Sequence, residues 1–339
     1  MTIRIYGTAI IIAVFLVFSP GCKRSLEQIR LPGGTNLEHL QPQAVCIIEQ
    51  ALDSTNPIIR TNAIETVAAT RQIQLMPRVQ RMLNDDYVPV RFAAAVAIGD
   101  TEYYLAKNML QRLIQVADEN TKIAAAYALY KLGYKQYLEL IRQAATSQDQ
   151  TLRANAVMLL GKTGDKSVLK LLYWAKDDDE SEPKVRYQAA ESIAKLGDTE
   201  IVPKLWTLLV SKFVENKIIG VKAMGALGTA QAEEALLTKL DDDILEVRLT
   251  AAEQLAALGD NSGEQVVLNV FEEHLTAGLD EAGRERIMVL TSLAIGRLGT
   301  PKTIHYLPEL IKDDSELVRL AAARAVLQII EKKSADLQR

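Results

Sequence analysis

The sequence repeats itself about every 31 residues, and a period of that length restricts the possible fold more than any other property of the chain. Each copy carries a basic residue, small residues three and four positions later and, in most copies, a glycine eleven positions on. The basic residues are Arg60, Arg91, Lys122, Arg153, Arg186, Lys217, Arg248 and Arg319, and Met288 stands where the series skips a member. A unit of this size cannot bury its own apolar face. Stacked copies can, because neighbours then share one continuous core.

The pattern inside a copy is helical. Counted from Arg186 in VRYQAAESIAKLGD, positions 0, +3, +4, +7 and +8 fall on one helical face. Position +3 is small (Ala63, Ala94, Ala125, Ala156, Ala189), and +7 is apolar (Val67, Ile98, Leu129, Leu160, Ile193). At +11 stand Gly133, Gly164, Gly197, Gly228, Gly259 and Gly299, expected to end the helix in a left-handed conformation. A second amphipathic stretch follows, as in IVPKLWTLLV, AEEALLTKL and TIHYLPELI; Pro203 fits a first turn, and Pro308 marks a kink or a later start. An acidic turn then leads to the next basic residue: Asp85-Asp86, Asp118-Glu119, Asp149, Asp241-Asp242-Asp243, Asp313-Asp314. Aspartate there suits an N-cap. No strand-like alternation is sustained. The expected fold is all-α, an α-solenoid of about nine stacked helical hairpins.

The string "D…VR..AA..L..LGD" resembles the HEAT repeat, in particular the short HEAT-like repeat also found in phycobilin lyases. Its closest copies are residues 182–198 (EPKVRYQAAESIAKLGD), 243–260 (DILEVRLTAAEQLAALGD) and 314–326 (DSELVRLAAARAV), and the resemblance covers about residues 43–335. It implies a solenoid. It also implies that the eight basic residues form an aspartate–arginine ladder between adjacent repeats rather than a ligand site. It implies little about activity, because such folds host many functions.

Composition agrees with this reading. Hydrophobic content is 48% but aromatic content only 5%, which suits helices packed through Ala, Leu, Ile and Val. A net charge of −4 gives no basic stripe for nucleic acid. The length would allow two domains, but the uninterrupted period argues for one solenoid.

Residues 1–21 read as a secretory signal peptide. Arg4 is the only charge before the apolar run AIIIAVFLVF, which is too short for a membrane span of about 20 residues. The run ends in Phe18-Ser19-Pro20-Gly21-Cys22, which resembles the bacterial lipoprotein cleavage box. That resemblance implies cleavage before Cys22 and lipid attachment to it. Ser19 stands where leucine is commonest and Pro20 is unusual, so an uncleaved anchor is the alternative. Two or three acyl chains hold a protein stably at a bilayer, where one is marginal. Lys23 rather than Asp follows the cysteine, a pattern that implies the outer membrane, facing the periplasm, if the cell has two membranes. Residues 22–36 form a tether broken by Pro32-Gly33-Gly34, residues 37–335 the solenoid and 336–339 a tail. Cys46, in AVCIIEQAL, is expected as a buried, inert thiol.

Catalytic motifs are missing. His39, His274 and His305 have no partner at helical spacing, so no metal site is expected. Some HEAT-like enzymes hold iron through His-Glu dipeptides; here the histidines precede Leu40, Leu275 and Tyr306, so that activity does not carry over. No Walker loop, GxSxG or CxxC is present. The likeness to phycobilin lyases marks no bilin pocket. The expectation is therefore no enzyme, no cofactor, no small-molecule substrate and no nucleic acid.

Surface remains. Positions +2, +5 and +9 of the helices that begin with the basic residue are expected on the concave side. They are apolar early in the chain (Ala93, Val96, Ala124, Tyr127, Met158) and charged later (Gln188, Glu191, Lys195, Lys222, Glu253). Val96, Tyr127 and Met158 lie one repeat apart at the same position and are the expected stripe for a protein partner. The alternative is that superhelix curvature simply covers them. Asp177, Asp178, Asp179, Glu180 and Glu182, with Glu272, Glu273, Asp280 and Glu281, make one edge acidic. The resulting reading is a lipid-anchored, non-catalytic interaction scaffold. The alternative is a HEAT-like enzyme or cofactor-handling protein, bilin lyase-like or oxidoreductase-related.

Overall fold

Helix follows helix throughout the computed structural model, which describes residues 37–337. The expected signal peptide at 1–21, the lipid-bearing Cys22 and the tether at 22–36 lie outside the described residues. Of the expected tail, residues 336 and 337 continue the last helix, and 338–339 lie outside. In chain order the hairpins are α1 (Gln41–Leu52) with α2 (Pro57–Ala69), α3 (Met76–Arg81) with α4 (Val88–Asp100), and α5 (Lys107–Val116) with α6 (Glu119–Lys131). Next come α7 (Leu138–Ala144) with α8 (Gln150–Lys162), α9 (Leu169–Asp177) with α10 (Pro183–Lys195), and α11 (Val202–Leu209) with α12 (Val214–Leu227). The last three are α13 (Ala230–Leu237) with α14 (Leu245–Leu258), α15 (Glu264–Glu272) with α16 (Glu281–Leu298), and the short α17 (Pro301–Ile304) and α18 (Leu307–Leu310) with α19 (Glu316–Leu337). The first helix of each hairpin is outer and the second, carrying the basic residue, is inner. No helix among the described residues is long and apolar enough to cross a membrane.

Local signals set these boundaries. Gly228, Gly259 and Gly299 close α12, α14 and α16 with φ of +63°, +98° and +64°. The equivalent residues of the first two repeats are Arg71 and Glu102, which adopt the same left-handed conformation without being glycine. Asp118 and Asp149 cap α6 and α8 as expected. Asp85, Asp242 and Asp313 do not sit at the cap. Each accepts instead from the backbone N–H two residues on, at Tyr87, Ile244 and Ser315. Pro308 lies in the first turn of α18, after a break at His305 and Tyr306.

Cys46 is half-buried rather than buried and disulfide-bonded rather than an inert thiol, and Gln50 Nε2 lies 3.5 Å from its sulfur. It falls on the flank of α1, whose buried line is Ala44, Ile48, Ala51 and Leu52.

The stack of hairpins closes on itself. Helix α19 packs against α16 on one side and against α1 and α2 on the other. Leu37, Ala44 and Ile48 belong to the same apolar cluster as Leu320, Ala323 and Leu327. Across the junction Ser54 Oγ lies 3.4 Å from Glu316 Oε2. Helix α1 thus takes the place beside α19 that an outer helix takes after every inner one, and the inner helices form a complete ring. The curvature comes from unequal spacing. Neighbouring inner helices touch through glycine at position +8: Gly99 against Ala128, Gly161 against Ser192 and Gly296 against Ala325. A Cβ at Gly161 would lie 2.8 Å from Ser192 Cα, so the two backbones are in direct contact. Successive outer helices pack on the inner ones far more than on each other and so stand farther apart, which bends the stack toward the inner side.

The ladder of basic residues exists, with gaps. Arg60 donates through Nε and Nη2 to Asp85, both at 2.9 Å. Arg91 reaches Asp118 at 2.7 Å, Arg153 reaches Asp178 at 2.6 Å, and Lys217 reaches both oxygens of Asp242 at 2.9 Å. Most of these pairs are 25 residues apart. Lys122 and Arg186 have Ser147 and Ser211 at that spacing and no carboxylate to meet. Lys122 pairs with Glu119 of its own helix, and Arg186 donates to the carbonyls of Ser181 and Asp179. Arg248 and Arg319 likewise bind only carbonyls of their own turns. The member that the period places at Met288 is Arg284, one helical turn earlier, which pairs with Asp313. The longer connection before α16 shifts the register there by one turn.

These pairs predict acid lability. Burial, the largest single influence, would raise the carboxyls of Asp85, Asp118, Asp178, Asp242 and Asp313. Hydrogen bonds from the ladder residues and from backbone N–H groups, together with the nearby positive charges, outweigh it and hold each below the usual carboxylate range. A carboxyl with a depressed folded-state pKa stabilises the fold at neutral pH, and that contribution is lost as pH falls through the depressed value. Thermal stability is expected to be flat near neutrality and to fall steeply below about pH 4. Melting temperature against pH checks this, and the fall should be shallower in Asp85→Asn.

Candidate functional site: the lumen and rims of the ring

Ring closure turns the concave face into a lumen. Positions +5 and +9 of the inner helices point into it, as their spacing requires. On the side built from α2, α4, α6, α8 and α19 the lumen widens into a cavity of about 790 Å³. Its apolar wall includes Phe92, Val96 and Met158; its polar wall includes Glu65, Asp100, Asn155, Lys162 and Arg324.

The expected partner stripe divides here. Val96 and Met158 line the cavity, half-buried. Tyr127 between them is only 1% exposed, and its hydroxyl donates to Asp100 at 2.6 Å. Ala93 and Ala124 are buried as well. Curvature covers these residues, and Tyr127 offers no surface to a folded partner. An intact helix, about 10–12 Å across, has no groove to lie in once the ring is closed.

The polar groups of the cavity fall into two sets. Lys162 pairs with Asp100 at 2.9 Å, and Asn155 Nδ2 donates to Asn120 at 2.8 Å. These are satisfied. Glu65 and Arg324 are not: neither makes a hydrogen bond or ion pair among the described residues, and Arg324 Nε is buried with no acceptor. The Glu65 carboxyl is reached by solvent from the lumen yet surrounded by protein. Burial pushes its pKa up, and the charges of Arg324, Lys162 and Lys222 only partly offset this. Burial likewise lowers the Arg324 pKa, against the attraction of Glu253 and Glu65. Both residues occupy position +5, in the first and last repeats. The sequence marks them as charges in a series otherwise apolar on that side, but only closure brings them to the same cavity. In the later half of the lumen Lys195 pairs with Glu191 at 2.6 Å. No cluster of three metal-ligating side chains occurs among the described residues.

The second surface feature is the rim where the inner helices begin. Ile58, Tyr87, Val116, Trp174, Val210 and Phe213 stand exposed on it, Val116 at 79%. Several carry a cation on the ring face: Arg60 over Tyr87, Arg153 over Trp174 and Lys212 over Phe213. This is the edge expected to be acidic. Part of that acidity is neutralised, because Asp178 accepts from Arg153, while Asp179 is fully exposed.

The family model for HEAT repeats matches residues 106–182 and 138–216. Within residues 106–216 the chain carries HEAT repeats, and the described residues fold as an all-helical solenoid. No curated protein matches the sequence. Similar solved structures include the complex of CpcE and CpcF of phycocyanin lyase from Nostoc sp. PCC7120, at 18% identity over 74% of this chain and 94% of that one, with a TM-score of 0.43. Human deoxyhypusine hydroxylase in complex with glycerol is 16% identical over 78% of this chain and 99% of its own, with a TM-score of 0.38. A mutant of Kap121p is 11% identical over 91% of this chain and 40% of its own, with a TM-score of 0.33.

Proposed function

We propose that this HEAT-repeat chain is a non-catalytic interaction scaffold, held at a bacterial envelope membrane by lipid on Cys22, with its protein partner seated on the rim where the inner helices begin. The observation that supports this reading is the row of exposed apolar side chains on that rim, from Ile58 and Tyr87 round to Val210 and Phe213. Singly exposed apolar side chains are ordinary, but Tyr87 and Phe213 stand at the same place, the N-cap of an inner helix, which marks the edge as a candidate contact. Aromatic side chains flanked by arginine and lysine are also the composition that carries binding energy at interfaces. The partner moves from the concave groove to the rim because the groove is closed. The proposed location is the outer membrane, facing the periplasm, if the cell has two membranes.

Two measurements test the parts separately. Metabolic labelling with a palmitate analogue should mark the wild-type chain and not Cys22→Ser; label that persists in the variant removes the lipid anchor. The double variant Tyr87→Asp/Phe213→Asp should lose at least tenfold in capture of its partner from native membranes, about 1.4 kcal/mol or more. Leu105→Asp, on the opposite rim, should capture as well as wild type. Loss only in Leu105→Asp would place the partner on that other rim, and unchanged capture in both would remove the rim from the reading.

A further inference from the structure

We infer that the lumen cavity is a binding site for a small amphipathic carboxylate, its anionic head on Arg324 and its apolar body against Phe92, Val96 and Met158. This inference is independent of the partner surface on the rim.

The argument starts from what is left over. Inner helices hydrogen-bond their own backbones, and the other polar side chains of the cavity wall are paired with one another where they approach closely: Lys162 with Asp100, Asn155 with Asn120. Arg324 has no acceptor among the described residues, and its Nε is shut off from solvent. A guanidinium in that state costs stability, because it has lost water and gained no partner. Structure that keeps such a group in a cavity is explained when a ligand supplies the missing acceptor. Planar, forked N–H groups fit a carboxylate better than any other common anion head of this size. A second cation, Arg71, also lines the cavity, on a left-handed backbone.

The apolar wall sets the rest of the ligand. Phe92 and Val96 come from α4 and Met158 from α8, and all three leave their side chains half-exposed to the cavity. A volume of about 790 Å³ lies in the range of small-molecule sites, 300–1,000 Å³. Glu65, which lines the same cavity without an ion-pair partner, disfavours a second negative charge on the ligand and so selects a monoanion. The site also depends on closure: Arg324 comes from the last repeat, Glu65 from the first, and Met158 from the fourth hairpin. Occupancy should therefore stabilise the ring as a whole.

The test uses the full mature chain and three probes that share one tail: decanoate, decanol and decylamine. Isothermal titration calorimetry should show saturable decanoate binding, with decanol at least about tenfold weaker, the loss expected when a charge-assisted pair is removed, and with decylamine weaker still. Arg324→Met should abolish decanoate binding and its thermal shift. In the absence of probe the same variant should melt at the same temperature as wild type or higher, since it removes a desolvated, unpaired charge. A purely structural arginine would instead lower the melting temperature on replacement. Val96→Asp, which polarises the wall without touching Arg324, should weaken decanoate by a similar factor. Equal binding of all three probes, no saturable binding of decanoate, or decanoate binding that survives Arg324→Met would each overturn the inference.

Discussion

Ile48→Asp is expected to open the ring. Ile48 is fully buried in α1, whose two neighbours are α2 and α19. An aspartate there loses the apolar burial of isoleucine and places a charge where no cation is paired with it. The cost is about 3–5 kcal/mol. In an open solenoid, damage in a terminal repeat frays that repeat and leaves the rest, because each repeat contacts only its neighbours. Here α1 also covers α19, so the damage reaches both ends of the chain. Small-angle scattering should report a larger radius of gyration for the variant, and its unfolding should split into more than one transition. Ile73→Asp is the control, since Ile73 is already 47% exposed and its replacement should change neither reading. An unchanged radius in Ile48→Asp would mean that contacts between α19 and α2 suffice for closure.

The second large effect is expected at Arg153. Its side chain is 2% exposed, its guanidinium lies 4.5 Å from the ring centre of Trp174, and it donates to Asp178 at 2.6 Å. Arg153→Ala removes the partner of a carboxylate and opens a void beneath Trp174. The expected loss is about 3 kcal/mol, at the low end for a broken buried pair because Asp178 lies near the surface and regains water. Arg153→Met restores much of the packing and should lose about half as much. Arg186→Ala is expected to cost no more than about 1 kcal/mol, because Arg186 is a third exposed and its partners are carbonyls of its own turn and, at 3.9 Å, the fully exposed carboxylate of Asp179. Chemical denaturation of the three variants gives the order directly. Equal losses at Arg153 and Arg186 would show that the two bases are equivalent despite their different burial.

Much of this architecture was legible in the residues. The period of about 31, the face at positions 0, +3, +4, +7 and +8, and the glycines at +11 all mark hairpins stacked side by side, because helix geometry converts spacing into faces without reference to anything distant. The ladder was what the resemblance to the HEAT repeat implied for all eight basic residues; Arg60, Arg91, Arg153 and Lys217 keep it, whereas Arg248 and Arg319 turn to carbonyls of their own turns, which the spacing did not foretell. Glycine at +8 was a further signal of close inner packing. Arg284 was hidden, since the longer connection before α16 slips the register by a turn and only the packing of α16 shows which residue faces Asp313. Closure was not legible at all. It is the sum of small rotations between successive repeats, and no single repeat encodes whether the ninth meets the first. Packing against Gly99 and Asp100 of the neighbouring α4 buried Tyr127, which had looked like an exposed contact, and closure brought Glu65 and Arg324, far apart in the chain, to one cavity. Faces and caps follow from interactions within a few helical turns, whereas the lumen, its unpaired charges and the rim follow from how nine such units add up around an axis.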